Sequence, residues 1–165
     1  AKLALLSAMY GASSGGAGQL LGVLRRRFPA AMAYVDGAAR AGEEGRLVHS
    51  HLGRTCPPAR PGHEQPAMAR ARGRFTRNFV VQATAAEWAN VLLAELRLAL
   101  RASGSPARPV FFQHDEVLLH APVEAAEQAA AAVRDAARTA GRRLFGDSPV
   151  RFPMQVRVVE AYDRR

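Results

Sequence analysis

Along residues 67–102 apolar side chains recur at helical spacing. Val81, Ala85, Trp88, Leu92 and Leu96 fall close to one side of a helix with about 3.6 residues per turn. The helix is predicted to start at Ala67 or Arg70 and to end at Ala102, where "SGSPARP" breaks it. Nearly the same side carries Arg74, Asn78 and Gln82 in its first turns, at i, i+4 and i+8. A purely structural amphipathic helix keeps one face apolar throughout. This one is polar first and apolar afterwards, so the stripe reads either as a solvated first half or as a binding row.

Shorter elements flank it. Residues 1–10 read as a helix stopped by Gly11, followed by a loop over 11–18. A second helix runs from Gly18 to Phe28, and a third over 29–42 is capped by Gly42 or Gly45. "RLVHSHLGR" (46–54) alternates like a strand, and 56–66 is an exposed loop. Residues 109–121 give two strands around His114-Asp115, an Ala-rich helix starts at Pro122, and 154–162 give a last strand. This order predicts an α+β fold with an antiparallel sheet. The expected core sets Val81, Trp88, Leu92 and Leu96 against Val110, Phe112, Val117, Leu119, Val156 and Val158 of the sheet. The opening "AKLALLSAMYG" has helical spacing with no cap before it, so it reads as the middle of a helix in a longer chain.

Composition sharpens this picture. An apolar fraction of 48% over 165 residues suffices for a real core. Lys and Arg number 23 against 14 Asp and Glu, a net +9, which points to a polyanionic partner. Lys2 is the only lysine, and the abundance of Ala, Gly and Pro fits a GC-rich gene that favours Arg codons, which weakens the charge signal. The single Cys56 excludes an internal disulfide and a thiolate-rich zinc site. No apolar run approaches the length of a membrane span and no leader is evident, so a cytoplasmic monomer without membrane contact is expected.

The chemistry-bearing candidates are few. In "FFQHDEVLLHAP" (111–122) three ionisable residues interrupt an apolar run. His114, Asp115 and Glu116 are either a solvated turn or a carboxylate site for a hard cation such as Mg²⁺. A two-metal site needs a second Asp from another strand, and Asp36, Asp135, Asp147 and Asp163 sit in helical or surface contexts. Lys2, Leu6 and Tyr10 share one arc of the opening helix. They are either a surface lysine and a core tyrosine or a cation and a flat ring for a nucleotide.

The order of these signals is more specific than any one of them. Lys-x7-Tyr-Gly, a Gly-Arg after a strand, Arg-x3-Asn-x3-Gln-x-Thr-Ala-Ala and His-Asp-Glu in a hairpin together resemble the C-terminal half of a family A DNA polymerase, from Lys2 to about Tyr162. The resemblance implies fingers helices over 1–45 and a palm portion over 46–165, with an antiparallel palm sheet. It implies that Lys2 binds the triphosphate of a dNTP, that Leu6 faces its sugar, and that Tyr10 packs at the templating position beside Gly11. Arg54, Arg74, Asn78 and Gln82 would contact primer-template DNA. His114 would contact the primer terminus, Asp115 would hold the catalytic metals, and Glu116 would support them.

Two Mg²⁺ ions are implied for the complete enzyme, with the family's other catalytic Asp expected upstream of Lys2. On that expectation the 165 residues alone do not polymerise. Leu6 stands where the family has Phe or Tyr, Ser7 replaces a Gly, Val80 a Pro, Ala83 a Gly and Glu87 an Asp. A competing reading is a basic nucleic-acid-binding module with a degenerate palm. A His-Asp phosphohydrolase is disfavoured because His49, His51, His63 and His120 lack ligand spacing.

Overall fold

Two helices separated by Phe28 open the described part of the chain, residues 16–162 of the computed structural model. Helix α1 spans Gly16–Arg27, and α2 spans Pro29–Glu43 with proline in its first turn, where a missing N–H costs nothing. Helix α3 runs without interruption over Pro66–Ala102. It closes on a Schellman cap, in which the Ser105 N–H reaches the Leu100 carbonyl (2.9 Å) and the Gly104 N–H that of Arg101 (3.1 Å). Strands β1 (Arg108–Gln113) and β2 (Glu116–His120) pair antiparallel, and after a short 3-10 turn α4 spans Ala126–Phe145. The fold is α+β, as the sequence predicts, with the long helix and the hairpin at the predicted places.

The chain divides into two compact units, residues 1–85 and 86–165. In the first, α2 lies against the first half of α3 along a seam of small residues. Gly42 faces Thr76, and Gly73 faces Ala39 and Glu43. Ala38, Ala41, Val48, Cys56 and Val80 form the core beside this seam, with Val35, Phe79 and Val81 packed on it. Asp36 on α2 takes both Arg77 of α3 and Arg25 of α1.

In the second unit, Leu92, Leu96 and Leu100 meet Ala129, Val133, Ala136, Ala137 and Ala140 of α4. Alanines on one face let the two helices approach closely, so burying the leucines stabilises the unit at about 1.5–3 kcal/mol each.

Three expectations need correction. Residues 46–54 form no strand. A single bridge joins His49 to Thr55, and the five residues between them turn, closed by the Ser50 backbone and hydroxyl on Arg54. Residues 154–162 form no strand: they make no ladder among the described residues, and the chain bends at 160–161. Met154 and Val156 still turn inward at period two, which is what the alternation encoded. The fully buried core of the second unit is mostly helix on helix, and Trp88, Val117, Leu119 and Val156 of the expected core pack against it only partly buried. Val110, Phe112 and Val158 are exposed, Val117, Leu119 and Val156 are half-buried, and Val81 belongs to the other unit. Among the described residues no helix is long and apolar enough to cross a membrane.

Candidate functional site

The two sides of α3 in the first unit differ sharply. Gly73, Thr76, Val80 and Ala83 lie on one line at spacings of three and four, and all are buried. Arg74, Asn78 and Gln82 lie on the other side. Arg74 and Gln82 are exposed and Asn78 is half-buried. None of the three has a hydrogen-bond or ion-pair partner among the described residues. Of the apolar set predicted for α3, Leu92 and Leu96 are buried, Val81 and Trp88 are half-buried, and Ala85 is exposed. Val80 and Ala83 occupy the buried line, on the side away from the polar row.

Neighbouring arginines on α3 are used internally. The Arg72 guanidinium donates to Cys56 Sγ (3.3 Å) and the Pro57 carbonyl, and Arg77 pairs with Asp36. The Cys56 sulfur also accepts the Val48 N–H at 3.3 Å, so the lone cysteine is a structural acceptor with 1% exposure.

Arg54 is presented by a fixed turn. The Ser50 N–H donates to the Arg54 carbonyl and the Arg54 N–H to Ser50 Oγ, both at 2.9 Å. Between them Gly53 takes φ +87°, a left-handed conformation open to glycine without steric cost. The His51 N–H donates to Thr84 Oγ1 at 3.1 Å, and that hydroxyl donates in turn to the Val80 carbonyl at 2.8 Å. The turn is thereby tied to α3, while the Arg54 side chain is exposed and unpaired among the described residues.

In the second unit the hairpin closes on the pair Gln113–Glu116, leaving His114 and Asp115 as a two-residue loop. His114 has φ +57°, the only positive φ at a non-glycine among the described residues. Such a conformation is uncommon and is tolerated best by Asn, Asp and His. A register shift between Pro109 and Phe111 adds twist to β1. His114, Asp115 and Glu116 are all exposed. The Tyr162 hydroxyl donates to Glu116 Oε2 at 3.2 Å, so the end of the tail steadies that carboxylate. Among the described residues no group of three or more His, Cys, Asp and Glu could by itself hold a metal ion. Asp115 and Glu116 are nonetheless adjacent, exposed oxygen donors, a donor set that suits one side of a Mg²⁺ shell otherwise filled by water and phosphate.

Lys2, Leu6, Tyr10 and Gly11 lie outside the described residues. The first unit ties the Arg54 turn to α3 at Thr84, and the second holds His114, Asp115 and Glu116 at one hairpin tip. Sequence reasoning missed Ser50, Thr84 and Tyr162 as positioning residues. It also missed how charge is distributed. Residues 1–85 carry 12 Lys and Arg against four Asp and Glu, whereas 86–165 carry 11 against 10. A codon bias acting evenly does not produce that asymmetry, and a count along the chain reveals it.

The chain is similar to known proteins over most of its length. The curated DNA polymerase I of Chloroflexus aurantiacus is 28% identical over 158 residues, covering 87% of this chain and 16% of that protein. Among solved structures, the POL domain of Pol1 from M. smegmatis, in complex with DNA primer-template and dNTP, superposes with a TM-score of 0.67. It is 22% identical, and the match covers 84% of this chain and 26% of the other. The chain therefore spans a minor part of the length of both. The family model described as DNA polymerase family A matches residues 2–162, nearly the whole chain, and the chain belongs to that family.

Proposed function

We propose that this chain supplies fingers (1–45) and palm (46–165) elements to template-directed DNA synthesis, in which a primer 3′-hydroxyl attacks a dNTP. The observation that carries the reading is the unpartnered Arg74–Asn78–Gln82 row on the side of α3 opposite a close-packed seam. A row of hydrogen-bonding side chains held on a rigid helix suits the minor groove, whose acceptors are nearly alike for every correct base pair. A polymerase must grip any sequence, so that degeneracy serves it. Arg54, on a turn tied to α3 at Thr84, would add a phosphate contact.

Asp115 and Glu116 would hold Mg²⁺ at the hairpin tip, and His114 would contact the primer end. When bound, the two ions lower the pKa of the attacking hydroxyl and neutralise the triphosphate. The protein's own work is positioning. β1 and β2 set Asp115 at a fixed tip, and Tyr162 holds the Glu116 carboxylate by a hydrogen bond. Lys2 and Tyr10 would meet the triphosphate and the templating base, with Leu6 against the sugar.

The test compares Asp115→Ala with Arg74→Ala in the full-length protein. Asp115→Ala is expected to abolish Mg²⁺-dependent primer extension while primer-template affinity changes little. Arg74→Ala is expected to weaken that affinity. If Asp115→Ala leaves extension unchanged, the catalytic reading is wrong and the chain is a nucleic-acid-binding module.

A further inference from the structure

We infer that Arg70 extends the DNA-contacting row of α3 by one turn beyond the family's Arg-x3-Asn-x3-Gln motif, as a phosphate contact. The inference rests on the nucleic-acid reading of Arg74, Asn78 and Gln82. Four arginines lie in the first half of α3, and the structure divides them into two pairs. Arg72 is spent on Cys56 and Pro57, and Arg77 on Asp36. Arg70 and Arg74 are exposed and have no partner among the described residues. Arg70 precedes Arg74 by four residues, about 6 Å along the axis, and so begins the same i, i+4 row. From Arg70 to Gln82 the row spans about 18 Å. Duplex DNA presents one phosphate every 3.4 Å or so along each strand, so a row of that length reaches past the base pairs read by Asn78 and Gln82 to further phosphates.

Chemistry and placement favour phosphate over base edge. Arg70 is followed by Ala71, leaves α3 one turn after its proline start and belongs to the unit that carries most of the chain's net positive charge. A guanidinium there can fork onto phosphate oxygens without reading sequence. Its contribution is to grip and register.

The test measures the affinity of the full chain for a primer-template duplex across a range of NaCl concentrations. Arg70→Ala is expected to weaken binding by the same factor on duplexes of different sequence. It should also reduce the slope of log affinity against log salt by about 0.9, the value of one released counterion. Arg70→Lys is expected to keep that slope. Arg134→Ala removes the same charge from an exposed site on α4 and is expected to leave the slope unchanged. If Arg74→Ala weakens binding while Arg70→Ala matches the unaltered chain, the Arg70 assignment fails alone. If neither variant changes affinity, the nucleic-acid reading beneath it fails. An equal loss of slope in Arg134→Ala means general charge attraction and overturns the assignment.

Discussion

The Thr76 hydroxyl, fully buried on α3, donates to the Ala38 carbonyl of α2 at 2.7 Å. This bond forms only because Gly42 has no side chain. A Cβ there would come within 2.8 Å of Thr76 Cγ2 and 2.9 Å of the Arg72 carbonyl oxygen. The row of Arg74, Asn78 and Gln82 is aimed by the helix that this seam fixes.

Gly42→Ala is therefore expected to destabilise the chain although alanine is the better helix former. The propensity gain is about 1 kcal/mol, and overpacking against a backbone carbonyl costs about 1–3 kcal/mol. Thr76→Val, which keeps the shape and loses the bond, should cost about 1 kcal/mol. Urea titration separates the two. An unchanged or raised midpoint for Gly42→Ala would mean that the helices part easily.

Asp36 makes two ion pairs of unequal weight. The Arg77 side chain is 12% exposed and its Nε is buried without a partner, whereas Arg25 is 57% exposed. Asp36→Ala strands the Arg77 charge and should cost about 2–3 kcal/mol. Arg25→Ala should cost under about 0.5 kcal/mol. Thermal unfolding of both variants checks the ranking, and equal losses would show that the exposed pair matters as much as the half-buried one.

What could be read from the sequence follows from the range of each signal. The end of α3 and the hairpin depend on local punctuation, Ser103-Gly104 and His114-Asp115, and were legible within a residue or two, whereas the start of α3 was left open between Ala67 and Arg70 and falls at Pro66. The polar row, and the buried Leu92 and Leu96 further on, were legible because helical spacing is local. Pairing is not local. Alternation over 154–162 encoded which side chains turn inward, Met154 and Val156, but nothing in it supplies a neighbouring strand. The same alternation over 46–54 belonged to a turn held by Ser50. The partners of Leu92 and Leu96 were legible only in part: Val117, Leu119 and Val156 do pack against their cluster, but the buried alanines of α4 were passed over by a search for large apolar residues. At the candidate site, the place of Asp115 in the hairpin loop was legible from its apolar flanks. Tyr162 was not, because its hydrogen bond to Glu116 crosses 46 residues.

His114 holds a left-handed φ at the hairpin tip, and a side chain there costs up to about 1–2 kcal/mol relative to glycine. His114→Gly is expected to keep or slightly raise the thermal midpoint and to lower primer extension by the full-length protein. His114→Ala should lower both, since it keeps the strain and loses the imidazole. Retained extension in His114→Gly would show that histidine is there for the turn alone.

Tyr162→Phe removes one donor from Glu116 and little else, because both residues are exposed. Stability should change by less than about 0.5 kcal/mol, as for other surface substitutions. If the hydrogen bond holds the Glu116 carboxylate for metal binding, the Mg²⁺ concentration giving half-maximal extension by the full-length protein should rise a few-fold. Maximal turnover at saturating Mg²⁺ should fall less. Glu116→Gln keeps an oxygen that can accept the Tyr162 proton and loses the charge, so it should raise the Mg²⁺ requirement further than Tyr162→Phe does. Equal Mg²⁺ dependence in both variants and the unaltered protein would place Glu116 outside the metal site and leave Asp115 as the hairpin's sole metal-binding carboxylate.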